Sequence, residues 1–219
     1  MDADTMTRKG AHKKTLDAFR SGRIDILIGT QMIAKGLHFP NVTLVGIIFA
    51  DLSLHIPDFR AGERTFQLLT QVAGRAGRGV SPGRVVVQSY TPFHPALNYA
   101  LDHDFDGFVE EELPAREALA FPPATHMAII HFRGESQVRT LQFAERFGDK
   151  LRRCLSDDVQ AGSPAPAPVE KIRGKYRYQI LLRGGPITQL TRLLRHMVLK
   201  TNPPKGVVLY VDIDPYSLM

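Results

Sequence analysis

The chain has 219 residues, a formal net charge of +6, a pI of about 9.6, 43% apolar residues and a single cysteine, Cys154. That length holds one or two domains, and the apolar content supports a packed core and excludes wholesale disorder. One cysteine excludes a disulfide framework and a cysteine-based zinc site, while the modest positive balance permits a polyanionic partner such as nucleic acid without requiring one.

The N-terminal stretch MDADTMTRKGAHKK is charged where a signal peptide would be apolar. No run of about 18 apolar residues is present to span a membrane. The expectation is a reducing, cytoplasmic location. Residues 7–20 form a basic helix with Leu16 and Phe19 on one face. Asp25 to Gly29 (DILIG) is a short apolar run that reads as a buried strand, and Val42 to Ala50 (VTLVGIIFA) reads as another. Gly62 to Ala73 places Phe66, Leu69 and Val72 at helical core spacing. Gly83 to Tyr90 is a third strand. Strands alternating with helices imply a parallel sheet whose ligands sit beyond the strands' carboxyl ends. Residues 93–119 read as helical, interrupted at Pro95 and Pro114, and Phe121-Pro122-Pro123-Ala124 stops the helix. A domain boundary there gives segments 1–120 and 121–219.

The second segment has a different rhythm. His126 to Arg133 is a strand, Gln137 to Leu155 an amphipathic helix, and AGSPAPAP (161–168) a loop. Tyr176 to Arg183 is a strand, Pro186 to Leu199 a helix and Gly206 to Ile213 a final strand. With a weak strand near Val159 or Val169, the order is βαββαβ, a ferredoxin-like split sheet.

Leu68 to Gly79 reads LLTQVAGRAGRG. One account is a helix carboxyl end, capped by Gly77 and Gly79, with Arg75 and Arg78 neutralising the terminal carbonyls. The other is chemical. In the pattern QxxGRxGR, two guanidinium forks match phosphate oxygens, an arginine can stabilise a transferring γ-phosphoryl group, and glycines let both arginines be aimed at one place.

QVAGRAGR resembles motif VI of superfamily 2 helicases, and Ile28 to Pro40 (IGTQMIAKGLHFP) resembles motif V, about 40 residues upstream. The intervening PDFRAGER, then FPP at 121–123, RGKYRYQILL at 173–182 and VDIDP at 211–215, are similar to the bacterial primosomal replication-restart helicases over essentially the whole chain. The fold this resemblance implies is α/β: part of RecA-like helicase lobe two, followed by a small α+β ferredoxin-like C-terminal domain. The activity it implies is ATP-dependent 3′→5′ DNA unwinding at stalled forks, with primosome proteins and single-strand binding protein as partners and ATP and Mg2+ as cofactors. The chain contains no GxxxxGK[ST] and no DEAH-type motif, and none of the family's zinc-binding cysteines. It is therefore read as a C-terminal fragment that binds no cofactor and hydrolyses no ATP alone.

By the resemblance, Arg75 and Arg78 face the γ-phosphate, Gln71 couples ATP to DNA, and Gly36 belongs to the nucleotide-side loop. Thr30, Gln31 and Lys35 meet the DNA backbone, although a plain βα turn also explains them. His38 stands where many relatives carry Asp, which removes a carboxylate contact there. Asp58, Arg60, Glu63 and Arg64 mark the family, and ion pairing at a helix entrance accounts for them equally. Lys171, Arg173, Lys175, Tyr176, Arg177 and Tyr178 interleave charge with rings, as a nucleic-acid surface does; a charged, protected edge strand would look the same. Asp212 and Asp214 read as solvated strand-end carboxylates, and His126 and His131, five apart, are out of phase for a ligand pair. No metal site is expected. Two functions stand side by side: a helicase portion supplying arginine fingers, or a DNA-binding and primosome-assembly module.

Overall fold

The computed structural model describes residues 10–30, 42–74 and 83–218. The chain forms two compact units, one of Met1–Ile56 with Ala61–Phe108, the other of Pro57–Arg60 with Val109–Met219.

In the first unit, helix α1 (Ala11–Arg20) buries Leu16. Strands β1 (Leu44–Ile47) and β2 (Arg84–Val87) pair in parallel, with Leu44 opposite Arg84 and Ile47 opposite Val87. Helix α2 (Ala61–Ala73) buries Ala61, Thr65, Phe66 and Leu69. That stripe follows from their helical spacing. Helix α3 spans Pro95–Leu101 and α4 spans Phe105–Ala118. The core joins Ala50, Phe66, Leu69, Leu97 and Phe108, with Phe66 and Phe108 stacked at 4.8 Å between centroids.

Two expectations change here. DILIG is not a strand: Ile26 and Ile28 are each 76% exposed. An apolar run becomes a buried strand only where a sheet and a covering layer receive it. The helical stretch does not break at its prolines. Pro95 opens α3, where its missing N–H is no loss, and Pro114 lies inside α4. The break falls at Asp102–Asp104, where His103 takes φ 55° and the Asp104 carboxylate accepts the Gly107 N–H at 2.9 Å, capping α4.

Beyond Val109–Ala118 of α4, the second unit is a five-stranded antiparallel sheet with two helices. The strands are β3 (Met127–Gly134), β4 (Val159–Ala161), β5 (Ala165–Ile172), β6 (Lys175–Gly184) and β7 (Val207–Ile213), and the helices are α5 (Gln137–Arg152) and α6 (Ile187–Leu199). Order across the sheet is β4-β6-β3-β7, with β5 also on β6. β4 and β5 thus form one interrupted edge, and the arrangement is the ferredoxin-like βαββαβ. Most of the expected Ala-Pro loop is therefore strand. An edge tolerates Pro166 and Pro168 because a strand bonded on one side can spare a donor. β5 and β6 join through Arg173-Gly174, at φ 50° and 78°, the positive-φ pair that a tight hairpin loop requires.

Period-two alternation sorts β6 by face. Tyr178, Ile180 and Leu182 are buried toward the helices, beside Phe132, Ile130 and Ala128 of β3. Phe143, Ala144, Phe147 and Leu151 of α5, and Leu190, Leu194 and Met197 of α6, complete this core. Truncating Phe147, 2% exposed, to alanine should cost about 3–5 kcal/mol in urea unfolding. Phe93→Ala, at a residue 88% exposed, should change stability by about 0.5 kcal/mol or less.

Candidate functional site

In the first unit, α2 delivers the QVAGRAGR segment. Gln71 lies exposed on the helix's last turn, and the Gly74 N–H still donates to the Thr70 carbonyl at 3.1 Å. The backbone is therefore helical up to the arginine pair. Arg75 and Arg78 themselves, with Gln31, Lys35, Gly36 and His38, lie outside the described residues. Thr30 is exposed in a bend.

The parallel pairing brings the carboxyl ends of β1 and β2 together. The Ala50 N–H donates to the Gln88 carbonyl at 3.0 Å. Next to it Asp51, 1% exposed, accepts the Tyr90 N–H at 2.9 Å and the Thr91 hydroxyl at 3.3 Å. Burial pushes this carboxyl up, but hydrogen bonds from backbone N–H groups and Thr91 outweigh it and hold it below its ordinary value. Asp51 is thus committed to tying two strand ends. Phe49 and Tyr90 stack beside it, 5.7 Å between centroids and both exposed.

In the second unit the structure divides the Lys171–Tyr178 cluster. Tyr178 is buried, and Tyr176 packs against the core. Lys171 lies opposite Tyr176, with its ammonium 4.4 Å from the ring centroid and 3.2 Å from the hydroxyl. Arg173 is exposed in the hairpin loop. Lys175 and Arg177 alternate to the face away from α5 and α6. On β6, rings and charges that interleave in sequence therefore sit on opposite sides of the sheet. Register brings further residues to this surface: Arg133 lies opposite Arg177, and His131 opposite both Gln179 and Tyr210. His131 and Tyr210 stack with centroids 4.6 Å apart. Alternation in HMAIIHFR and GVVLYVDI carried that signal, but only strand pairing brings the two runs together.

The segments that marked the resemblance also meet in this unit. Phe59 stacks on Phe121 at 5.0 Å, and Arg60 donates to the Pro215 carbonyl at 2.6 Å. The Asp58 carboxylate accepts the Ser217 hydroxyl at 3.1 Å and the Leu218 N–H at 3.2 Å. Asp214 accepts from the Met127 N–H at 3.0 Å and lies 2.8 Å from His126 Nδ1. Among the described residues no group of three or more His, Cys, Asp or Glu gathers as a metal centre, and no helix is long and apolar enough to cross a membrane.

Residues 3–80 match the helicase conserved C-terminal domain, and residues 117–216 match the primosomal protein N C-terminal domain. Replication restart protein PriA of Bacillus subtilis is 43% identical over 222 residues, covering 100% of this chain and 28% of the relative. Proteins of the same name from Rickettsia conorii (43% over 194 residues, 89% of this chain, 30% of the relative) and Haemophilus influenzae (39% over 223 residues, 100% and 30%) are also similar. The chain thus spans less than a third of the length of these relatives.

Burial holds the His131 imidazole below its ordinary value of 6.5; the nearby Arg177 charge adds to this and Asp212 opposes it. As pH falls through about 6.5, the unfolded chain takes up the proton before the folded one, so stability falls with it. His131→Gln should flatten this dependence in urea titrations at pH 5–8, with the wild-type and variant curves diverging below about 6.5.

Proposed function

The chain belongs to the replication restart protein PriA family, as a counterpart of its C-terminal part, and we propose that it is the portion of an ATP-dependent 3′→5′ DNA helicase that carries motifs V and VI together with a DNA-contacting C-terminal domain. In this reading residues 1–120 belong to helicase lobe two and 121–219 to the C-terminal domain. The observation that carries it is a match to PriA proteins along the whole chain. The exposed Gln71 on the last turn of a helix leading directly into GRAGR supports it.

Arg75 and Arg78 stabilise charge developing on the γ-phosphoryl group of ATP, and Gln71 couples that event to DNA. Gly36 belongs to the loop proposed to serve the nucleotide, and Thr30, Gln31 and Lys35 are proposed to hold the DNA backbone. ATP supplies the energy of unwinding and Mg2+ neutralises its phosphates. Without a GxxxxGK[ST] cradle in these 219 residues, transition-state donors have nothing to act on, so the chain alone turns over no ATP. Forked and single-stranded DNA are the substrates, primosome proteins and single-strand binding protein the partners, and the cytoplasm the location.

A second reading, a DNA-binding and primosome-assembly module working without ATP, is favoured by the basic residues Arg133, Lys175 and Arg177 on the helix-free face of the second unit.

The test uses the full-length protein. Arg78→Ala should lower DNA-stimulated ATP hydrolysis about 10³-fold or more while forked-DNA affinity is retained. Hydrolysis at the wild-type rate in that variant would sink the arginine-finger assignment. DNA binding that needs no ATP and survives Arg78→Ala is what the module reading expects as well.

A further inference from the structure

We propose that the helix-free face of the second unit's sheet is a stacking platform for single-stranded nucleic acid, with Tyr210 as the ring that receives a base and Arg133, Arg177 and Lys175 as the groups that hold flanking phosphates. It rests on the DNA-contacting role above and gives that role a place.

Strand pairing defines the surface. One row across the sheet is Arg177–Arg133–Val208, and the next is Gln179–His131–Tyr210. α5 and α6 occupy the other face, where the core lies. Towards Met127 and Ile129, both 0% exposed, the helix-free face is covered; there Arg183, opposite Met127, donates to the Leu119 carbonyl at 2.7 Å and lies 5.1 Å from the Phe121 ring centroid. The two rows above stay open: Arg133 is exposed, Tyr210 is 41% exposed and Val208 is 42% exposed.

Two features of these rows point to one kind of ligand. Arg133 and Arg177 stand directly opposite one another, an arrangement that costs stability. Among the described residues no carboxylate forms an ion pair with either of them. A phosphate backbone crossing this face would make charge-assisted contacts with guanidinium groups that no carboxylate neutralises. Arg177 already has its Nη1 3.3 Å from the Val169 carbonyl, which places its guanidinium over the irregular stretch of β5. Second, the Tyr210 ring is backed by buried His131, so it is held in place before any ligand arrives. Fixed, partly exposed rings beside a positive strip bind unpaired bases, because every base has a π-face and duplex bases are already stacked. Asp212, exposed two residues beyond Tyr210 on the same face, repels phosphate, so the backbone runs along the Arg133–Arg177 side.

The experiment is fluorescence anisotropy of the 219-residue chain with labelled oligo(dT) and with a duplex of equal length, across a salt series. Tyr210→Ala should weaken oligo(dT) binding about tenfold or more and leave duplex binding nearly unchanged, while Tyr210→Phe should keep the wild-type affinity. Arg133→Ala should lower the single-strand log–log salt slope by about 0.7. Thermal melting checks the fold; should Tyr210→Ala fail to fold, Tyr210→Leu carries the same test, retaining apolar contact with His131 but no ring. The platform is overturned if folded Tyr210 and Arg133 variants bind oligo(dT) as the wild type does, if duplex binding falls equally, or if the wild type binds no oligo(dT) at low salt. None of these outcomes touches the ATP-hydrolysis test of Arg78, so the platform and the arginine-finger reading can fail separately.

Discussion

β3 is hydrogen-bonded along both edges, to β6 and β7, and its residues Met127 to Ile130 and Phe132 are wholly buried. Everything in the second unit is arranged by that central position. A strand with neighbours on both sides and one face packed under helices cannot slip by one residue without turning every side chain to the wrong face. Its alternation therefore dictates which residues of β6 and β7 meet the helices and which meet solvent. The apolar set on the helix side holds the unit together, and the set on the other side holds the residues with chemistry left to offer.

That division changes how the basic region is understood. Along the chain, Lys175, Tyr176, Arg177 and Tyr178 look like a single mixed surface. In the sheet, the tyrosines serve the core and its edge, with Tyr176 further engaged by Lys171. The positive groups instead join Arg133 and an aromatic ring from a strand more than thirty positions further on, Tyr210. Interleaving in a strand is thus a poor guide to a surface, because neighbours in sequence are the residues most certain to be separated by the sheet.

Short polar segments do structural work of another kind. Asp58, Phe59 and Arg60 come from early in the chain yet are held by Ser217, Leu218, Phe121 and Pro215. Each contact satisfies a polar group or packs a ring, and together they tie Pro57–Arg60 into the second unit. Residues that mark a family need not touch its substrate.

Much of the fold was written locally. The spacing of Phe143, Phe147 and Leu151 specifies a one-sided helix, the alternation in YRYQILLR a half-buried strand, and QVAGRAGR with its upstream partner motif a helicase relationship. These are legible because helix and strand periods act over a few residues and because phosphate chemistry confines the residues that serve it. DILIG, the Ala-Pro stretch and the break at Asp102–Asp104 were misjudged for the converse reason. Whether an apolar run is buried, whether proline sits on an edge, and whether a helical stretch breaks at Asp102–Asp104 or at Pro114 depend on what lies alongside. The pairings Arg133 with Arg177 and His131 with Tyr210 belong to that second kind. The sequence by itself determined the periods and the motif, because those are properties of neighbours; only the tertiary structure decided the register, because hydrogen bonds between distant strands choose which residues share a face.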